Sequence, residues 1–145
     1  MKKLILTGWG WRDYACAAAL ALRHHPGADV LGISTRRLPE FLREAMGYGE
    51  IIILGVGLTG EPAMLESALE ELAARKTKVA WISVLGLPKS IGEGIRSRME
   101  MQVVPNVDNL MEAVGKAYGL PRDENLAQIL QTEKPTAKAE RIQLL

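Results

Sequence analysis

A chain of 145 residues with 48% hydrophobic and 24% charged residues has room for one domain around one substantial core. Its formal net charge of +1 supplies no field to gather polyanions, which argues against direct nucleic-acid binding by bulk electrostatics. The single cysteine, Cys16, excludes an intrachain disulfide and a cysteine-rich zinc site.

The start Met1-Lys2-Lys3-Leu4-Ile5-Leu6 opens like a signal peptide, but Gly8, Gly10, Arg12 and Asp13 interrupt it. No stretch reaches the ~20 apolar residues of a membrane helix. These features predict a soluble cytoplasmic protein with no membrane partner.

Short apolar runs alternate with helical patterns. Leu4 to Thr7 predicts the first strand, and the alanine-rich stretch Asp13 to His24 a helix stopped by Pro26-Gly27. Asp29 to Ile33 is the second strand, and Pro39 to Met46 a short helix. Ile51 to Leu54 is the third strand. Pro62 to Arg75 carries Leu65, Ala68, Leu69 and Leu72 at three- and four-residue spacing, which predicts an amphipathic helix. Val79 to Ser83 is the fourth strand, Pro88 to Arg98 a helix weakened by Gly92 and Gly94, and Met101 to Val104 the fifth strand. Val107 to Tyr118 is helical, with Asp108 near its positive end.

This alternation predicts an α/β three-layer sandwich around a mainly parallel five-stranded sheet. The second to fourth strands have few polar residues in their middles, as expected when both faces are covered. Residues 1–120 form this domain. Residues 121–145 read as a helical extension over Asp123 to Gln131, then a linker over Glu133 to Lys138. The apolar ending at Leu144-Leu145 suggests that a further domain follows in a longer parent protein, or that the tail docks on a partner.

In an open parallel sheet, ligands bind beyond the carboxyl ends of the strands. Those ends run into Gly8-Trp9-Gly10-Trp11-Arg12-Asp13, Gly55-Val56-Gly57 and Ser83-Val84-Leu85-Gly86. Asp13 is the carboxylate these loops offer. In register, the three loops resemble the motif positions of the amino-terminal domain of the DHH phosphoesterase superfamily, over about Lys3 to Val104. The resemblance implies a DHH-like (or, more generally, flavodoxin-like) parallel sheet. It also implies that a family member would bind two divalent metals, usually manganese, at these strand ends. The family's His-x-Asp-x-Asp-Gly motif falls on Gly8, Gly10 and Arg12 here. The family's second motif, an apolar strand ending in Asp, ends here in Gly55, and its Asp-His-His falls after Ser83 on Val84-Leu85-Gly86. Glycine, valine and leucine offer no oxygen or imidazole ligand, and Arg12 adds fixed positive charge. The resemblance therefore implies the fold with a degenerate site, no metal and no cofactor.

Gly55-Val56-Gly57-Leu58-Thr59-Gly60 matches GxGxxG, but Glu61 and Pro62 follow where a pyrophosphate would lie, which favours a tight turn. Trp9 and Trp11 could wall a crevice with Arg12 as an anion fork; alternatively the rings fill space, with Asp13 capping its own helix and pairing Arg12. Arg36-Arg37 reads as a solvated helix start, His24-His25 as a helix C-terminal cap, and Cys16 as core.

These readings converge on a non-catalytic ligand-sensing or regulatory domain. Small α/β modules of this kind resemble the amino-terminal input domains of bacterial transcription regulators. The candidate ligand-binding residues are Gly8, Trp9, Gly10, Trp11, Arg12, Asp13, Gly55, Gly57 and Ser83, and the expected ligand is a small anion. A homo-oligomer or a covalently linked further domain is the expected partner. Two alternatives stand beside this reading: a metal-dependent phosphoesterase of the DHH/exopolyphosphatase type, and an oligomerisation module using Trp9, Trp11 and the tail.

Overall fold

The computed structural model describes residues 2–8, 10–57, 62–86 and 92–131. Five strands, β1 (Lys2–Thr7), β2 (Asp29–Gly32), β3 (Tyr48–Leu54), β4 (Lys78–Ser83) and β5 (Glu100–Val103), form one sheet in the order β2-β1-β3-β4-β5. Every pairing is parallel. This is the 2-1-3-4-5 order of flavodoxin-like sheets, in which the chain reverses direction across the sheet between β1 and β3.

The helices are α1 (Arg12–His24), α2 (Leu38–Glu44), α3 (Pro62–Ala74), α4 (Glu93–Arg96) and α5 (Leu110–Tyr118), with a further helical stretch over 124–131. Alternation along each central strand divides the core in two. Leu4, Leu6, Ile51, Ile53, Val79 and Trp81 face α2, α3 and α4. Ile5, Ile52, Leu54 and Ile82 face α1, α5 and the 124–131 helix. The predicted three-layer sandwich is therefore present, and helices on both faces explain why β1, β3 and β4 read as apolar runs.

Three expectations are corrected. β2 is exposed along its whole length, with Val30 and Leu31 each 42% accessible. It is an edge strand and not a strand covered on both faces; its apolar residues reflect β propensity, which does not separate edge from centre. Of the helix predicted over Pro88 to Arg98, the described residues hold the single turn Glu93–Arg96, with the extended Gly92 as its N-cap; residues 87–91 lie outside the described residues. The helix predicted from Val107 begins at Leu110, because the Asn109 side chain accepts from Glu112 N at 2.8 Å and sets the N-cap there.

The extension after residue 120 is tied to the domain as far as residue 131. Ala127 and Leu130 are buried beside Cys16. Asp123 accepts from Leu126 N at 2.9 Å and also holds Arg23 of α1. These two partners hold its carboxyl below the usual range. The predicted linker and tail, residues 133–145, lie outside the described residues. Among the described residues, no helix is long and apolar enough to cross a membrane.

At the amino edge of the sheet, His25 is buried, with its Nδ1 3.1 Å from Lys3 Nζ and its Nε2 3.0 Å from the Tyr118 hydroxyl. The ammonium can only donate, so Nδ1 accepts and the proton sits on Nε2, donating to Tyr118. His24 stacks on the Tyr118 ring at 4.1 Å. The His24 and His25 side chains thus anchor Tyr118, while the cap itself is the His25 backbone N–H on Ala21 O. Burial, then Lys3, lowers the His25 pKa, against an opposing pull from Glu50. Burial, then Glu50 and Glu100, pushes Tyr118 up to about 12.

His25 therefore protonates more readily in the unfolded chain. Its stabilising contribution is complete above the unfolded pKa near 6.5 and is lost as pH falls through the lower folded value. Thermal melts between neutral and mildly acidic pH should show a falling Tm that flattens in His25→Gln. An unchanged slope in that variant would remove His25 as the cause.

Candidate functional site

The carboxyl rim of the sheet at the β1/β3 switch point is where a ligand would enter such a fold. Its backbone is stitched closed just past the strand ends. Ile33 N donates to Thr7 O at 2.7 Å, Gly55 N to Ile82 O at 2.8 Å, and Val104 N to Ser83 O at 2.9 Å. The Thr7 hydroxyl reaches Leu54 O at 3.4 Å.

Gly8 and Gly55 end β1 and β3, and the space beside each is taken. A Cβ on Gly8 would lie 2.5 Å from Tyr14 Cζ, and one on Gly55 would lie 2.7 Å from Leu110 Cδ2 and 3.4 Å from Tyr14 Cε1. Gly55 also has a left-handed backbone, φ 68°, which favours glycine. The Tyr14 ring and the Leu110 side chain therefore occupy the space beside these two strand ends.

Asp13 does not cap its own helix. The N-cap of α1 is Trp11, with no side-chain cap bond. Instead Asp13 reaches across to α5: Oδ2 accepts from Leu110 N and Oδ1 from Met111 N, both at 2.9 Å. Asn109 takes the Glu112 N–H, and Glu112 Oε2 accepts from Asp108 N at 3.3 Å. The first donors of α5, which would otherwise attract an anion, are already bonded to the chain's own side chains.

The other predicted site residues are distributed along the rim. Gly10 is exposed with φ 94°, and Trp11 and Arg12 are exposed. Trp9 lies outside the described residues, as do residues 58–61 of the glycine-rich loop. Gly57 is half-buried. Val56 is buried, and its carbonyl accepts from the indole of Trp81 at 2.9 Å. Ser83 is buried, and its hydroxyl accepts from Leu85 N at 3.2 Å, a local turn bond.

Among the described residues, no three His, Cys, Asp or Glu side chains come together, and the rim's Asp13 carboxylate is committed to two N–H groups. Sequence reasoning missed Tyr14, Leu110 and Trp81. The available signal was the pair of strand-terminal glycines, which demand a bulky neighbour if the interior is to be close-packed.

By strand order, this is a flavodoxin-like parallel α/β domain with a side-chain-filled carboxyl rim. No family model matches the sequence, and no curated protein matches it. Among solved structures it is similar to RecJ in complex with Mn2+ from Thermus thermophilus, with 19% identity and a TM-score of 0.47. The match covers 88% of this chain and 20% of that one, so the chain spans about a fifth of the length of RecJ. A likeness this distant bears no weight on chemistry.

Replacing Asp13 by alanine should cost about 0.5–2 kcal/mol of stability, the range for lost helix caps. Gly8→Ala should cost about 1–3 kcal/mol through overpacking against Tyr14. Urea unfolding would measure both. Substitutions that leave the midpoint where it was would mean that the rim is not packed as described.

Proposed function

We propose that this chain is a non-catalytic regulatory domain: a DHH-like sheet whose rim has lost its metal-binding side chains and is closed by its own residues. The observation that carries this reading is the Asp13 carboxylate seated on the Leu110 and Met111 N–H groups, with Tyr14 and Leu110 against the strand-end glycines. Two-metal hydrolysis needs several hard ligands converging on a shared space. Here that space holds a phenol ring and an aliphatic side chain. Under this reading a small anion enters the rim only by displacing Asp13 from α5, which makes binding and helix position two sides of one equilibrium. The signal passes to a further domain beyond the 121–145 extension, or to a partner. The setting we favour, the amino-terminal input module of a bacterial transcription regulator, rests on analogy between small α/β modules.

Calorimetric titration with manganese, together with a generic phosphodiester assay, separates this from the phosphoesterase reading. The expected result is no saturable two-ion binding and no turnover above buffer. Two bound ions with turnover abolished by chelation would establish the enzyme and end this proposal.

A further inference from the structure

We infer that the outer edge of β2 is a self-association surface, on which a second copy of this chain continues the sheet antiparallel, with Leu31 opposite Leu31. The inference is independent of the rim. Among the described residues, no strand pairs with the outer side of β2. Its sequence, Asp29-Val30-Leu31-Gly32, holds no lysine or proline of the kind that blunts an open edge. The opposite edge is different. β5 reads Glu100-Met101-Gln102-Val103 and runs into Val104-Pro105, so the proline at its end opposes pairing.

The register follows from the hydrogen bonds. Ile33 N points inward to Thr7 O. Alternate residues of a strand direct their N–H and C=O to the same side, so Leu31 also faces β1, while Val30 and Gly32 face outward. A two-fold axis normal to the sheet keeps each face on its own side, so it must pass beside a residue and not between two. Centred on Leu31, it sets Val30 of each copy opposite Gly32 of the other as a hydrogen-bonded pair, and every outward group of the strand is satisfied. Centred on Val30, it leaves Gly32 facing Ala28, outside the strand.

The side chains agree with the first choice. Val30 meets a glycine and is not crowded. The two Leu31 side chains meet on the α2 face, where a groove of about 400 Å³ runs between β2 and α2, floored by Ile33 and Phe41 and edged by Arg37, Glu40 and Glu44. Charge also matches. Asp29, beside Lys2 at 3.6 Å, is carried to the Ser34–Arg37 end of the second copy, where Arg36 and Arg37 are exposed. The antiparallel arrangement makes this acid-to-base match twice.

Sedimentation or light scattering of the full chain across the micromolar range tests the proposal. The expected result is a dimer that Leu31→Lys converts to a monomer with unchanged circular dichroism. Register is read by cross-linking. A non-hydrogen-bonded antiparallel pair has its Cα atoms about 4.5 Å apart, within disulfide range. Leu31→Cys should therefore form a covalent dimer on mild oxidation, whereas Val30→Cys and the wild type, whose Cys16 is buried, should not. A wild-type chain that stays monomeric throughout overturns the proposal, and so does a monomer whose Val30 and Gly32 amides resist hydrogen exchange, which would mean that the chain covers its own edge. A dimer that survives Leu31→Lys, or that is lost in Trp11→Ala, overturns it too.

Discussion

One carboxylate fixes the working end of this molecule. Asp13, in the first turn of α1, holds two backbone N–H groups of α5, whose sequence positions are 97 and 98 residues away. A charged acceptor on helix N-terminal donors is among the stronger hydrogen bonds available near a surface, and the helix dipole adds to it. The bond aligns two helices that pack side by side on one face of the sheet. Once Asp13 is placed, Tyr14, the next residue, projects over the ends of β1 and β3. Once Leu110 N is held, the Leu110 side chain falls beside Gly55. Two plugs and one strut therefore follow from a single contact.

That contact changes what an acid at a strand end means. In an open parallel sheet, a carboxylate after β1 is ordinarily free to face the crevice, where it can hold a cation or a proton. Here it faces the α5 amides and supplies structure. The glycines around it serve the same end: Gly8 and Gly55 admit side chains from α1 and α5 that no larger residue would tolerate. The amino edge is organised differently, around the buried His25 between Lys3 and Tyr118. One end of the sheet is thus closed by packing and a capped helix, the other by a neutral imidazole whose lone pair is held by an ammonium.

The sheet was legible from the sequence because its central strands are short apolar runs between helical patterns, and Leu4–Thr7, Ile51–Leu54 and Val79–Ser83 all lie within observed strands. The position of β2 was not legible. Its Val30 and Leu31 look like core residues, and only the pairing order shows that nothing described lies beyond them. Asp13 was legible as a cap but not as the cap of α5, because local spacing points a carboxylate to its own helix, and a partner about a hundred residues away leaves no local trace. Tyr14 was passed over for the same reason: its role is defined by two glycines on different strands. The 124–131 helix was legible within the Asp123 to Gln131 stretch, although the capping role of Asp123 was not drawn, its bond to Leu126 N being local.

The two surfaces of interest differ in what opposes a newcomer. At the rim, any ligand competes with bonds already made, and the relevant quantity is the difference between its affinity and the strength of the Asp13–α5 contact. At the outer edge of β2 no described strand competes for the outward Val30 and Gly32 groups, and pairing would add a ladder while removing Val30 and Leu31 from solvent. The rim is therefore suited to a conditional event and the edge to a standing one. A domain with both would hold its assembly through β2 and respond through α5, and the sheet between them, with β1 bonded to β2 on one side and to β3 on the other, connects the two.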